Sequence, residues 1–407
     1  MKELEDLFFE LIQVALGKKV VLSKSPSEQE WGKLFEMARK QAVAGVAMAA
    51  LEKLSEQGQK PPLEIIYEWI GLSEQIRQGN LRLNKYCKQL QRIFSEKGVR
   101  TSILKGQGIA NYYDEGLREL RQSGDIDIYV DCGRENALQK VKGYGLEVKE
   151  WDYKHAQLDI WDDVAIEMHY RVEVMLNLWK NRILQRWFSK HREAIFGNDN
   201  GNLNLNDRSA QRDACQSKNV DLNVDVNTEG VVTPTVEFNL FYILLHIYRH
   251  FLYEGVGLRQ IMDYYFVLKN FNVDLNDNPD LDLNSNRTRF AIDAIKEFGM
   301  ERFGRGLMWV MKEVFAMPEE WMICEADEKE GRYILAQVMV GGNFGHHDQR
   351  LQHSSGKWNT VKQVCRHNWH LVSHYPADVI WAPVWFVWHK CWKMKAKASL
   401  SLQKDDL

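Results

Sequence analysis

The chain has 407 residues, a length that fits two or three domains, and its 45% hydrophobic and 27% charged content is that of a folded globular protein. With 53 basic and 56 acidic residues the net charge is −3, which excludes a global electrostatic drive toward nucleic acid and leaves room only for a local basic patch. Six scattered cysteines form no CxxC pair, so neither a disulfide framework nor a zinc site is predicted and a reducing cytoplasm is the expected setting.

The first 100 residues read as helical. Apolar residues recur at helical spacing in Leu7–Leu16, Trp31–Leu54 and Ile65–Phe94. Acidic residues among the apolar ones make MKELEDLFFELIQVALG an amphipathic helix and not a signal peptide. Ser27, with Glu30 three residues on, has the spacing of a capping box, and Pro61-Pro62 marks the turn before the third run.

The pattern changes at Val99. Val99–Leu104 reads as a short strand, Gly106 and Gly108 punctuate it, and Ile109–Leu120 returns to helical spacing. Asp125–Val130 alternates acid and apolar residues with the period of a half-buried strand. Residues 134–143 read as a helix, and Leu146–Trp151, Leu158–Trp161 and Val164–Tyr170 as further short strands, closing a mixed block over 97–175. Residues 197–232, rich in Asn, Asp and Gly, read as a surface insertion. Helical spacing resumes at Val236–Leu268, Thr288–Phe315, Glu328–Val340 and Asn359–Val372. The Asp- and Asn-rich Asn270–Asn286 lacks the spacing of an EF-hand and reads as a loop.

These elements predict an α+β protein. A helical region covers 1–96, a small mixed-sheet core 97–196, the insertion 197–232 and a C-terminal helical region 233–407. No run of 18 apolar residues is present, so no spanning helix is expected. The aromatic Val379–Trp392, with Lys390, Lys393, Lys395 and Lys397 at and beyond its end, reads first as a helix packed on the core, and second as a contact with a membrane surface.

The chemistry centres on Asp125 and Asp127. Residues i and i+2 of a strand point to one face with Cα atoms about 6.6 Å apart, so two carboxylates aim in one direction. Two like charges so placed repel, and a divalent cation relieves the repulsion; oxygen-only ligation suits Mg²⁺. Sharing two ions takes a third carboxylate. Glu167, in the alternating VAIEMHY, is the candidate, brought alongside by a neighbouring antiparallel strand, with His169 on its face. An isolated Asp-x-Asp also occurs on solvated sheet faces. Here it follows Leu104-Lys105-Gly106-Gln107-Gly108, a glycine turn between strand and helix where backbone can approach phosphate, and Arg121 stands four residues before Asp125.

With these stretches the sequence resembles the nucleotidyltransferase superfamily, whose members share an hG[GS] turn, a Dh[DE]h strand and a later acid. More narrowly it resembles the bacterial family labelled uncharacterised nucleotidyltransferase, through LKGQGIANYY, RQSGDIDIYV, VAIEMHYRV, LLHIYRHFLYEGVGLRQIMDYYFVL and GGNFG. The resemblance implies that Gly106 sits in the turn holding a nucleoside triphosphate. It implies that Asp125, Asp127 and Glu167 ligate Mg²⁺, two ions with nucleotide bound, and that Lys105, Gln107 and Arg121 lie near the phosphates. Gln107 stands where the superfamily has Ser or Gly, the gap from Gly106 to Asp125 is long, and Glu167 stands where Asp is expected. The expected activity is transfer of a nucleoside monophosphate from the triphosphate to a hydroxyl or phosphate on a small molecule, peptide or protein. The alternative is an inactive nucleotide- or partner-binding protein of the same fold. A kinase is disfavoured because no Walker A turn and no HRD or DFG set is present.

A second constellation, His246, His250, Arg259 and Asp263, falls in one helical region with Gly255 and Gly257 at the turn inside it. His246/His250 and Arg259/Asp263 are each four apart, hence on one helix face. Two readings stay open: a buried polar network tying two helices together, or a lobe closing over the nucleotide with Arg259 on a phosphate. Asn343, His346, His347 and Asp348 of GGNFGHHDQR form a loop that could line a substrate entrance.

Overall fold

The computed structural model describes residues 2–197, 230–277, 286–345 and 371–405. Most of the Asn/Asp-rich insertion, the centre of the second Asp-rich segment, His346, His347 and Asp348, and nearly all of the helix expected at Asn359–Val372 lie outside these residues.

Helix α1 spans Lys2–Ala15, α2 Glu28–Lys40, α3 Ala44–Glu56 and α4 Leu63–Ser95. Both bonds of the Ser27/Glu30 capping box form at the start of α2. The expected single run Trp31–Leu54 is two helices, because the chain turns at Ala42, which adopts a left-handed φ of +56°. Gly45 makes that turn useful. A Cβ there would lie 2.2 Å from the Leu120 carbonyl oxygen, so only glycine lets α3 touch the segment leading into the acidic strand. Helix α4 is amphipathic in an unusual sense: its inward face carries buried Asn80, Asn84 and Gln91 beside Leu83, Cys87 and Leu90.

The strands are β1 (Thr101–Ile103), β2 (Asp125–Val130), β3 (Glu147–Trp151), β4 (His155–Asp159) and β5 (Ala165–His169). They form one five-stranded sheet among the described residues, in the order β1-β2-β5-β4-β3. Ile126, Ile128, Ile166 and Met168 point to one face, where they are at most 1% exposed and pack with Leu83, Leu90 and Phe94 of α4. Each such side chain contributes about 1.5–3 kcal/mol on burial, so register is strongly held. A one-residue slip would send four large apolar side chains to the acidic face. Between β1 and β2 the helix expected at Ile109–Leu120 is instead two single turns, α5 (Gln107–Ala110) and α6 (Glu115–Arg118). Helix α7 (Arg134–Gly143) precedes β3. The expected antiparallel neighbour of β2 is corrected: β2 and β5 run parallel, because α7, β3 and β4 intervene and return the chain in the same direction.

The remaining helices are α8 (Leu178–Lys190), α9 (Val236–Tyr253), α10 (Leu258–Asp277), α11 (Asn286–Glu297), α12 (Glu301–Phe315), α13 (Glu328–Gly341), α14 (Pro376–Val379) and α15 (Trp381–Asp405). Helix α9 is buried on nearly every side, from Phe238 to Leu252, and organises the helical core. That core is shared with the N-terminal helices. Gln13 donates to the Glu313 carbonyl at 3.0 Å and Gln41 to that of Val338 at 3.0 Å, and Leu7 and Phe8 belong to the same apolar cluster as Leu307 and Met311. The aromatic C-terminal segment packs inward through Trp385, Trp388 and Trp392, whose rings lie 5.0–5.6 Å from that of Tyr153. No helix of the described residues is long and apolar enough to cross a membrane. The architecture is α+β, with helices flanking one mixed sheet.

Candidate metal and nucleotide site

The acidic face of the sheet forms the floor of a cavity of about 430 Å³. Alternation along β2 places Asp125 and Asp127 on this face, opposite Ile126 and Ile128. Parallel register sets Glu167 of β5 directly beside Asp127. One carboxylate oxygen from each of Asp125, Asp127 and Glu167 lies within 4.8 Å of the others. The β1–α5 turn adds Lys105 and Gly106. The Leu104 amide donates to the Asp127 carbonyl at 3.0 Å, continuing the β1–β2 ladder into the turn. Gly106 takes φ +56°, which favours glycine, and brings the turn against the Asp125 carbonyl.

Charge on the floor is uneven. Lys105 Nζ lies 2.8 Å from Asp127 Oδ1, and His169 Nε2, fully buried, lies 2.8 Å from the same oxygen and 3.3 Å from Glu167 Oε2. Burial pushes Asp127 up, but the Lys105 ammonium and the His169 ring outweigh it and hold its carboxyl well below the usual range. Glu167 is likewise lowered, against burial, to about 2 by its hydrogen bond from His169. His169 is disfavoured as a cation by burial, yet these two carboxylates raise its pKa. Asp125 has no such partner. The charge of Asp127 and its own burial raise its pKa. Three carboxylates thus face one ammonium and two imidazoles, and the surplus negative charge sits at Asp125. A hard divalent cation fits this donor set and this imbalance.

One wall comes from the segment before β2. Arg121, 2% exposed, donates from Nε and Nη2 to the two Asp263 oxygens at 2.7 Å, and Tyr113 donates to Asp263 Oδ1 at 2.7 Å. Arg121 also reaches Ser123 Oγ, which donates to Gln107 Oε1 at 2.9 Å, and Gln107 in turn bonds Asn84 and the Asn80 carbonyl. Gln107 therefore points into α4, 2% exposed, and does not line the cavity, whereas Lys105, Gly106 and Arg121 do. Arg259 lines it too, donating to the Gln122 carbonyl at 3.1 Å, with its Nε lacking a partner and its guanidinium 5.4 Å from the Phe344 ring. Burial and the adjacent Arg121 lower its pKa. An anion at this point would be welcome.

The roof is α9, the turn after it and α15. Glu173, wholly buried, accepts hydrogen bonds from Lys154 Nζ at 3.2 Å and His246 Nδ1 at 3.0 Å and is paired in charge with Arg249, whose Nε lies 3.3 Å away. His250 Nδ1 lies 2.6 Å from Glu254, and its ring meets that of His246 at 4.3 Å. The His246–His250 pair thus faces the cavity and also belongs to a buried polar network, as the first reading of this helix has it. Gly255 and Gly257 form the turn as expected. A Cβ on Gly257 would meet Asn343 at 2.9 Å, which draws Asn343 and Phe344 against the turn.

Sequence reasoning brought out Asp125, Asp127, Glu167, Lys105, Gly106, Arg121 and Arg259, and the fold gathers all of them around one cavity. It missed Lys154, His155, Glu173, Arg249 and Trp385. Arg249 lies inside the His246–His250 run that was singled out. Glu173, in the coil after β5, carries no local signal, because its partners come from the β3–β4 turn, Lys154, and from α9, His246 and Arg249.

Comparison with curated proteins and with solved structures returned no match. Residues 27–289 match the profile of a family described as uncharacterised nucleotidyltransferase, a span that holds helices α2–α4, the whole sheet and helices α8–α10. That match covers well over half of the chain, and the chain belongs to the uncharacterised nucleotidyltransferase family.

Proposed function

We propose that the protein transfers a nucleoside monophosphate from a nucleoside triphosphate to a hydroxyl or phosphate acceptor. The observation that carries this reading is the convergence of Asp125, Asp127 and Glu167 within 4.8 Å, on a cavity floor faced by Lys105 and Arg259. The donor set is all oxygen and carries surplus negative charge, which fits Mg²⁺. When bound, such ions neutralise the phosphates and lower the barrier to in-line displacement at the α-phosphorus.

The chain's own groups have separate tasks. His169 bridges Asp127 and Glu167 and holds both carboxylates in place and ionised. Gly106 lets the turn backbone approach the triphosphate. Lys105 and Arg259 supply positive charge to the phosphates, and Arg121, locked to Asp263, braces that wall. The acceptor oxygen forms its bond to the α-phosphorus as the bond to pyrophosphate breaks, and a hydroxyl acceptor gives its proton to Asp127 or Glu167.

The test is pyrophosphate release from each of the four common nucleoside triphosphates across a panel of sugar, lipid-headgroup, peptide and protein acceptors, with Mg²⁺-dependent nucleotide binding measured alongside. Turnover with pyrophosphate as product supports the reading. No turnover together with no Mg²⁺-dependent binding ends it, and release of nucleoside diphosphate would indicate a kinase instead. One observation favours a second reading, a binding protein without turnover: Asp127 is already satisfied by Lys105 and His169. Nucleotide binding indifferent to Mg²⁺ and to Asp125→Ala would decide for it.

A further inference from the structure

Glu167 belongs to two ligand sets. Besides the carboxylate trio, it stands with His155 and His169, whose ring nitrogens and its own oxygen lie within 4.8 Å of one another. The sheet makes this happen. In the antiparallel pair β4–β5, His155 is opposite His169 and Gln157 opposite Glu167, so both imidazoles emerge on the face that carries the carboxylates.

We infer that His155, Glu167 and His169 form a mixed nitrogen–oxygen site for a first-row divalent transition cation, adjoining the all-oxygen site and sharing Glu167 with it. Spacing is the first argument. Glu167 Oε2 is 3.2 Å from His155 Nδ1 and 3.3 Å from His169 Nε2. Donor atoms each about 2.1 Å from a common ion lie about 3.0–3.4 Å apart for octahedral or tetrahedral angles. The second argument is the state of the nitrogens. His155 Nδ1 is buried and makes no hydrogen bond, although a carboxylate oxygen is this close, so its bonding capacity is unspent. His169 Nε2 lies 2.8 Å from Asp127 Oδ1 and 3.3 Å from Glu167 Oε2, while its Nδ1 lies 3.3 Å from the Arg171 carbonyl, which can only accept; an ion that takes the place of the Nε2 proton finds Nδ1–H anchored on that carbonyl and Nε2 aimed at the carboxylates. A histidine ligand anchored through its far nitrogen is the arrangement that orients imidazole on metals. His155 has a counterpart in Asp152, whose Oδ2 is 3.9 Å from Nε2.

The third argument is chemistry. Two imidazoles and one carboxylate suit Zn²⁺, Mn²⁺ or Co²⁺ far better than Mg²⁺, whereas the neighbouring carboxylates show the opposite preference. His155 and Glu167 both line the cavity, so the ion's remaining positions open onto it. Binding replaces the His169 Nε2 proton and the hydrogen bonds it makes to Asp127 and Glu167, leaving Glu167 to face the ion directly. The site goes beyond nucleotidyl transfer and needs no nucleotide.

The experiment is a titration of the metal-free full chain with Co²⁺ in the absence of nucleotide, followed by visible absorption. One equivalent should bind with the spectrum of nitrogen ligation and survive a large excess of Mg²⁺. His155→Ala should weaken it at least ten-fold, and Glu167→Gln similarly, while Asp125→Ala changes it less than about three-fold. Thermal melting of metal-free His155→Ala checks that it folds, which its partly exposed position favours. Pulsed EPR of Mn²⁺-loaded wild type needs no variant and should show imidazole nitrogen coupling. Displacement by Mg²⁺, wild-type affinity in His155→Ala, or oxygen-only coupling would overturn the inference. Because nucleotide is absent throughout, each result stands whether or not the protein proves to be a transferase.

Discussion

The floor and the roof of the cavity use the same residue types to opposite ends. On the roof, buried Glu173 faces Lys154 and Arg249, and Arg249 also reaches the exposed Glu254, so every charge there has a partner. On the floor, Asp125, Asp127 and Glu167 face Lys105, His155 and His169, and Asp125 is left over. A balanced buried network is complete without a ligand and holds helices in register. An unbalanced one stores repulsion that an incoming cation releases. On the proposed function, the contrast separates residues that shape this cavity from residues that act in it.

The sharpest way to break the contrast is Asp127→Asn. It should cut pyrophosphate release about 10³-fold, the scale seen when a group stabilising transition-state charge is removed, and abolish Mg²⁺-dependent nucleotide binding. Activity near wild type would mean that the floor is structural after all. Asp263→Ala acts on the balanced side. It leaves Arg121 buried without its partner and should lower unfolding free energy in a urea titration by about 3–5 kcal/mol, whereas replacing both residues with apolar ones of similar volume should recover most of that.

Arg259→Ala comes next. Its guanidinium borders the cavity with Nε unpaired, so the expected result is about ten-fold weaker nucleotide binding, equivalent to about 1.4 kcal/mol, with little change in melting temperature. An unchanged nucleotide affinity would move Arg259 from the acting set to the shaping set. The smallest effect is a pH dependence from the roof. Burial, helped by the charge of Lys105, holds His246 neutral, with its pKa well below the ordinary value of 6.5. A depressed folded pKa means that stability is complete above the unfolded pKa and is lost as pH falls below about 6.5, because the unfolded chain takes the proton first. The loss is at most about 1.4 kcal/mol per pH unit. Urea titrations between pH 5 and 8 should show this slope in wild type and a flatter one in His246→Asn.

Much of this was legible along the chain because it is local. The alternation of Asp125–Val130 and of Ala165–His169 sets which side chains share a face, and the Ser27 capping box needs only four residues. Other features depended on distant partners. Gln107 looked like a phosphate contact because it follows Gly106, yet Asn84 and Ser123 draw it behind the turn. The single run Trp31–Leu54 broke at Ala42 because α3 must approach Leu120, a contact that no helical period encodes. The direction of β5 relative to β2 followed from the elements threaded between them.

By itself, the sequence determined the elements and the faces they present: a glycine turn, two acids on one side of a strand, a third acid and a histidine on one side of another. Periodicity and local turn chemistry carry that information within a few residues. Tertiary structure alone decided that Glu167 lies beside Asp127, that His155 joins His169, and that Glu173 meets Lys154, His246 and Arg249. Those pairings depend on strand order and on how α9 packs across the sheet, and both are settled by burying apolar surface between segments far apart in the chain.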